Sequence, residues 1–372
     1  MGFSTFYPSL VQHPSPLLKS FRNLLEALND EELRRLAAKS SGLTRRYFGK
    51  TMRMFAPLYL SNECINSCSY CGFSRENAIL RVTLELREIA KEALHLSEAG
   101  FRDVLLVAGE HPKFISNQYL VRCVRQLVDK FPSICLEVAP LEIPDYRELV
   151  LAGAEGISLY QETYHRPTYL QVHQFGPKKD FDWRLDGPER AYSAGFRRLG
   201  IGALYGLWDW REEAFALAAH IEYLLRTCWQ AQLSVSLPRL RPAAGNFSPP
   251  HPISDREFIQ LVCALRITFP QIGIVLSTRE CSELRDALAP LGVTHMSAGS
   301  HTEPGGYTGQ GSTHLHRTLR GKSLPVTHTE VSATEQFATS DKRSPAQVSQ
   351  RLSELGLDTI WKDWDAAIFA TT

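Results

Sequence analysis

Cys64, Cys68 and Cys71 fall within eight residues, in the run Cys64-Ile65-Asn66-Ser67-Cys68-Ser69-Tyr70-Cys71. Thiolates spaced this closely point to a metal centre. A closed zinc site wants four ligands, usually from two separated pairs, and the remaining cysteines (Cys123, Cys135, Cys228, Cys263, Cys281) are scattered. A cluster of four irons is normally held by four cysteines. Three leave one iron open to bind something else, and catalysis needs such a position. A zinc knuckle and an incidental grouping are the plainer alternatives.

The CxxxCxxC spacing, with Tyr70 before the last cysteine and Gly72-Phe73 after it, resembles the radical S-adenosylmethionine (SAM) enzymes. That resemblance implies a [4Fe-4S] cluster whose open iron binds SAM, and reductive cleavage of SAM to a 5′-deoxyadenosyl radical.

Further candidates sit where apolar runs end. Gly109-Glu110-His111-Pro112 follows one such run; a glycine there lets backbone approach a ligand, and a carboxylate can accept hydrogen bonds from an ammonium. His111 is either a proton carrier or a positioning residue. Tyr160-Gln161-Glu162-Thr163-Tyr164-His165 ends another run, and Gly176 to Arg184 follows it. Polar groups at such places cost stability unless something satisfies them. Arg279, just past a buried run, can grip a carboxylate through a bidentate pair, or else bridge loops through Glu280 or Glu110. Arg239 and Arg241 follow another run two residues apart, and one of them is expected to point inward. Ser297-Ala298-Gly299-Ser300 offers small hydroxyls at a pocket floor.

The elements that must position these groups follow from periodicity. Apolar runs at Phe55–Leu60, Asp103–Ala108, Ile134–Val138, Gly156–Tyr160, Arg198–Leu204, Gln232–Leu237, Gly273–Ser277 and His295–Ala298 alternate with amphipathic helical stretches. Eight such units predict an α/β fold, a (β/α)8 TIM-type barrel, with active groups at the C-terminal ends of its strands. Thr83 is the expected cap of the helix carrying Leu86 to Leu94, with Gly100 as its stop. The chain divides into a helical extension over 1–50, the barrel over 51–305, and a C-terminal extension over 306–372 with a flexible loop and a helix. Asn29 is expected to cap a helix with Asp30, Glu31 and Glu32 in its first turn, and Ser344-Pro345-Ala346-Gln347 has a capping-box pattern. The segment between Gly306 and Phe337 is rich in Gly, Ser, Thr and His; it reads as an exposed, mobile loop, with a metal site at His301, His314, His316 and His328 as the rarer alternative.

Composition excludes several classes. With 372 residues and a net charge of +1, the chain has no global field to recruit nucleic acid or an anionic membrane. No apolar run approaches a membrane span, and the N-terminus lacks the pattern of a signal peptide. Free thiols beside an oxygen-sensitive cluster fit a reducing cytoplasm.

Leu58 to Asn62, Cys71 to Ser74, Gly109 to Pro112, Tyr160 to Tyr164, Gly176 to Leu185, Pro238 to Pro242, Ser277 to Glu280, Met296 to Ser300 and Trp361 to Asp365 together resemble the ThiH-type tyrosine lyases, the 2-iminoacetate synthases of thiamine thiazole biosynthesis. The likeness runs from about Phe55 to the C-terminus. It implies cleavage of the Cα–Cβ bond of L-tyrosine to 2-iminoacetate and p-cresol, with thiazole synthase as partner and a reducing donor such as flavodoxin or ferredoxin. It implies that Cys64, Cys68 and Cys71 hold the cluster, that Tyr70 lies against adenine, and that Gly109, Glu110, Glu162 and Arg184 contact SAM. Arg279 would take the tyrosine carboxylate, with Ser236 and Ser297 or Ser300 as pocket groups. Three rivals differ. A hydrogenase-maturation tyrosine lyase carries C-terminal cluster cysteines, whereas no cysteine follows Cys281. A tryptophan lyase would use a similar pocket. A non-enzymatic iron–sulfur or zinc protein would not need Glu110, Glu162 or Arg184.

Overall fold

The computed structural model describes residues 2–326 and 331–361. His328 and the segment 362–365, part of the family resemblance, lie outside the described residues. Eight parallel strands form the barrel: β1 (Thr51–Ser61), β3 (Asp103–Ala108), β4 (Ser133–Glu137), β5 (Gly156–Glu162), β6 (Arg198–Ala203), β7 (Gln232–Ser236), β8 (Gly273–Leu276) and β9 (His295–Ser297). They follow one another in sheet order, and β9 returns to β1 at the register Arg53↔His295 to Phe55↔Ser297. Closure leaves these strands no free edge, and their crossover helices cover the outside. All eight expected strands are present, with ends displaced by a few residues.

Four further strands were not expected. β2 (Ile79–Arg81) lies within the loop after β1, and β10 (His316–Leu319) and β11 (Lys322–Leu324) form a hairpin that pairs antiparallel with it. β12 (Asp358–Ile360) adds to the start of β1. The mobile-loop expectation for 306–337 is thereby corrected, because most of that segment is held in place. His314 Nε2 lies 3.0 Å from both carboxylate oxygens of Glu88, and His301 Nδ1 lies 2.9 Å from Glu303. Among the described residues no His, Cys, Asp or Glu group converges on a single metal ion; these histidines are engaged by carboxylates instead.

Helices Phe3–Gln12, Pro16–Leu24 and Asp30–Phe48 form the N-terminal extension. Asn29 caps the third through a reciprocal capping box with Glu32, and Ser40 on its inner face donates to the Leu291 carbonyl. The helix Leu86–Glu98 starts at Glu85, whose amide donates to Glu88 at 2.8 Å, and Thr83 is not its cap. The Thr83 hydroxyl pairs instead with Ser61 at 2.7 Å. Gly100 follows this helix at φ +98°, a conformation open to glycine. The helix Asn117–Leu127 begins after Ser116, whose side chain accepts from the Tyr119 amide. Among the described residues no helix is long and apolar enough to cross a membrane.

The C-terminal segment is tied to the barrel by a buried pair. Arg285 binds Asp341 and the Ser297 carbonyl, and both charged groups are almost fully buried. Breaking such a pair strands the partner charge in a poor dielectric. Asp341→Ala should therefore lower stability by about 3–5 kcal/mol, whereas Arg351→Ala, which removes a solvent-screened pair with Asp286, should cost far less; urea denaturation distinguishes the two.

Candidate active site

The cysteine loop leaves β1 at the C-terminal mouth of the barrel. Its conformation is fixed by Asn66, whose amide donates to Glu110 at 2.7 Å, approaches Cys64 Sγ at 3.6 Å, and whose oxygen accepts from the Lys178 backbone at 2.9 Å. Two glycines make room for it. A Cβ on Gly176, at φ +94°, would lie 2.2 Å from Asn66 Oδ1, and one on Gly109 would lie 2.2 Å from the Glu63 carbonyl. At Gly109 the missing side chain admits the backbone of the cysteine loop.

Cys68 is buried and Cys64 and Cys71 are partly so. Burial pushes the thiols of Cys68 and Cys71 up, against the pull of the Lys178 ammonium. Amide groups face two of the sulfurs, Asn66 at Cys64 and Gln336 Nε2 at 3.9 Å from Cys71. Three thiols on one loop, approached by N–H donors, fit a polynuclear iron–sulfur cluster, whose properties such donors tune.

β5 ends in a bulge, with the register shifting between Tyr160 and Glu162. Glu162 stands at φ +71°, an uncommon conformation for a residue with a side chain, and its carbonyl accepts from Leu204 at 2.7 Å. The bulge re-aims the strand end, and the Glu162 carboxylate meets Lys178 Nζ at 2.6 Å and Arg184 Nη2 at 3.7 Å. Arg184 Nε also donates to the Tyr160 carbonyl at 2.6 Å. Burial alone would raise Glu162, but Lys178 and Arg184 outweigh it and hold the carboxylate at about 2. Tyr70 is buried with its hydroxyl 2.8 Å from His173 Nε2.

Two cavities open beneath the loop. The outer one, about 500 Å³, is lined by Tyr70, Cys71, Glu162, Lys178, Leu204 and Arg241. The inner one, about 680 Å³, is lined by Phe55, Leu105, Val107, Val275 and the predicted Ser236, Ser297 and Ser300. Glu137, Tyr160, Pro238, Arg279 and Phe337 line both and form the boundary between them. Ser236 Oγ accepts from the Tyr160 hydroxyl at 3.2 Å, Ser297 Oγ accepts from the Thr278 amide at 3.2 Å, and Ser300 Oγ is buried with no partner among the described residues. The Arg279 guanidinium lies 3.2 Å from the centre of the Phe337 ring, and burial lowers its pKa.

Several expectations separate here. Neither Glu110 nor Arg184 is among the residues lining the two cavities; Glu110 is held by Asn66, and Arg184 acts on the outer cavity through Glu162. His111 lies outside both, its Nδ1 accepting from the Lys113 amide at 3.3 Å. Arg239 and Arg241 both grip the buried Glu280, and of the two Arg241 alone lines the outer cavity. Glu280 is thereby taken, so Arg279 does not bridge through it. Sequence reasoning missed Glu137, Tyr59, Asn66 and Phe337, and it gave Lys178 no role of its own. The signal for Glu137 was present, as a carboxylate inside an apolar strand run.

An α/β barrel with three thiols on the loop after its first strand, above a charged cavity, is the architecture of a radical SAM enzyme. Residues 58–218 match the Radical SAM superfamily and residues 236–358 match the Biotin and Thiamin Synthesis associated domain. The chain is 42% identical over 335 residues to the 2-iminoacetate synthase of Escherichia coli (strain K12), covering 90% of this chain and 84% of that protein. It is 40% identical over 344 residues to the 2-iminoacetate synthase of Salmonella typhimurium (strain LT2), covering 92% and 86%. The X-ray structure of the FeFe-hydrogenase maturase HydG from Carboxydothermus hydrogenoformans superposes with a TM-score of 0.82 at 36% identity, over 96% of this chain and 79% of that one. The chain belongs to the 2-iminoacetate synthase family.

Because Glu162 is held below its ordinary value of 4.5, its contribution to stability is complete above that pH and fades as pH falls toward about 2. Glu162→Gln leaves two buried cations unpaired and should cost about 3–5 kcal/mol at neutral pH, while flattening the acid limb of stability against pH in urea titrations.

Proposed function

We propose that this chain is a radical SAM lyase that cleaves the Cα–Cβ bond of L-tyrosine to 2-iminoacetate and p-cresol, in the cytoplasm, for thiamine thiazole biosynthesis. Cys64, Cys68 and Cys71 would hold a [4Fe-4S] cluster, and the outer cavity would hold SAM. When bound, these two supply a 5′-deoxyadenosyl radical, given an electron from a donor such as flavodoxin or ferredoxin. Tyr70 offers a flat face to a purine. Glu162 is kept ionised by Lys178 and Arg184, so it can accept hydrogen bonds from ribose hydroxyls or an ammonium group, and Glu110, held by Asn66 of the cysteine loop, would be a second carboxylate for SAM. The product 2-iminoacetate hydrolyses readily in water, which supports direct delivery to thiazole synthase as partner.

One observation carries the substrate reading. Arg279 is a desolvated guanidinium at the boundary of the two cavities, with an aromatic face on one side and no ion pair to any described residue. Such a group favours a carboxylate, and the inner cavity beyond it has an apolar wall with Ser236, Ser297 and Ser300 around it, suited to a phenol ring. A largely apolar cavity keeps water away from an imine product that water would hydrolyse.

The direct test is anaerobic turnover of reconstituted protein with reductant, SAM and either tyrosine or tryptophan. Tyrosine should give 5′-deoxyadenosine, p-cresol and glyoxylate, the last from hydrolysis of 2-iminoacetate. Cys68→Ala should abolish all three products. Arg279→Ala should lose tyrosine turnover by roughly a hundredfold or more, as expected for removal of a charged substrate contact, while uncoupled SAM cleavage persists; full turnover by that variant would remove the carboxylate assignment.

A further inference from the structure

Glu137, the last residue of β4, has no part in the ion network around Glu162, yet it lines both cavities. It stands close enough to Arg279 for each charge to act on the other, and no ion pair joins them among the described residues. A carboxyl and a guanidinium thus line the same boundary between the two cavities, near one another but without an ion pair among the described residues. Leaving two such groups unpaired is costly unless a ligand completes them. An α-amino acid carries an ammonium and a carboxylate on one carbon, which is the complement of those two groups.

We propose that Glu137 and Arg279 together bind the zwitterionic head of the substrate, Arg279 taking the carboxylate and Glu137 taking the α-ammonium and one of its protons. This rests on the lyase reading above. The transfer breaks one N–H bond, leaves its electron pair on nitrogen and forms one O–H bond on the carboxylate; no electron is exchanged. A hydrogen atom is removed far more readily from a neutral amine than from an ammonium, where loss would concentrate positive charge and an unpaired electron on one nitrogen.

Position supports the assignment. The α-carbon would lie at the boundary of the cavities, with its ring toward Phe55, Leu105, Val107 and Val275 and its nitrogen toward the side lined by Tyr70, Glu162 and Lys178. The Tyr160 hydroxyl faces the Glu137 carboxylate and is steadied by Ser236. Burial, with Glu162 adding to it, holds Glu137 above the usual carboxylate range despite Arg279, Tyr160 and Lys178, so the carboxyl can keep a proton once it has one.

The test is ligand binding by equilibrium dialysis of anaerobically reconstituted protein with SAM, using L-tyrosine, tyramine (no carboxylate), 3-(4-hydroxyphenyl)propionate (no amine) and L-phenylalanine. Glu137→Gln should weaken L-tyrosine and tyramine by about tenfold or more and leave hydroxyphenylpropionate within about twofold. Arg279→Gln should weaken L-tyrosine and hydroxyphenylpropionate and spare tyramine. The acid limb of kcat/KM should also vanish in Glu137→Gln, since an amide cannot accept the proton. Unchanged L-tyrosine binding by Glu137→Gln overturns the proposal, as does equal weakening of all ligands. Loss of only the preference for tyrosine over phenylalanine would place Glu137 on the phenol hydroxyl and overturn it as well. Should Glu137→Gln not fold, Glu137→Asp must show the same selective loss for the amines. Native protein that neither binds nor turns over L-tyrosine would overturn the lyase reading itself, and the role of Glu137 with it.

Discussion

The carboxylate of Glu162 held between Lys178 and Arg184 is the interaction on which the mouth of the barrel depends. Three charges removed from water would each be expensive alone. Together they satisfy one another, and they join three separate stretches: the bulged end of β5, the segment after Gly176, and the short helix that carries Arg184. Lys178 in turn lowers the cost of ionising the buried thiols of Cys68 and Cys71, so the same ammonium that fixes Glu162 also prepares the cysteines for metal.

The boundary between the cavities sets what can happen there. Residues from β4, β5, the loops after β7 and β8, and the C-terminal extension meet at Glu137, Tyr160, Pro238, Arg279 and Phe337. A nucleoside on one side and an aromatic amino acid on the other would be brought into contact only through that ring of side chains. Proximity of this kind, in a dry cavity, is what the protein adds to chemistry the cofactor already possesses.

The C-terminal extension is part of the site. Gly72 donates to the Gln336 carbonyl at 3.1 Å, and a Cβ at Gly72 would lie 2.4 Å from that oxygen. The Tyr59 hydroxyl binds Gln336 Oε1 at 2.8 Å, and Phe337 covers Arg279. Arg285 and Asp341 anchor the same stretch from beneath. The β10–β11 hairpin, fastened through His314 to Glu88, carries the chain from the last barrel strand toward this position.

Local pattern was enough for much of this protein. The period of the apolar runs marked eight strands and their helices, because alternation of strand and helix has one common closed solution. The spacing of Cys64, Cys68 and Cys71 marked the metal loop, since three thiolates so close have few other uses. Asn29 and Ser344 were legible as caps because capping is a contact between residues three apart. What could not be read were contacts between groups far apart in the chain. The reach of Lys178 to Glu162, of Asn66 to Glu110 and of Phe337 to Arg279, and the opposition of Glu137 to Arg279, depend on strand register, a bulge at β5 and the return of the C-terminus. Arg239 and Arg241, two residues apart and so on one side of an extended chain, both turn to Glu280, because past the end of a strand the carboxylate within reach decides where a side chain points. Sequence determined the elements and the cysteine ligands, which are local; tertiary structure decided which charges are paired and which line a cavity without an ion pair among the described residues, because pairing is settled by distance after folding.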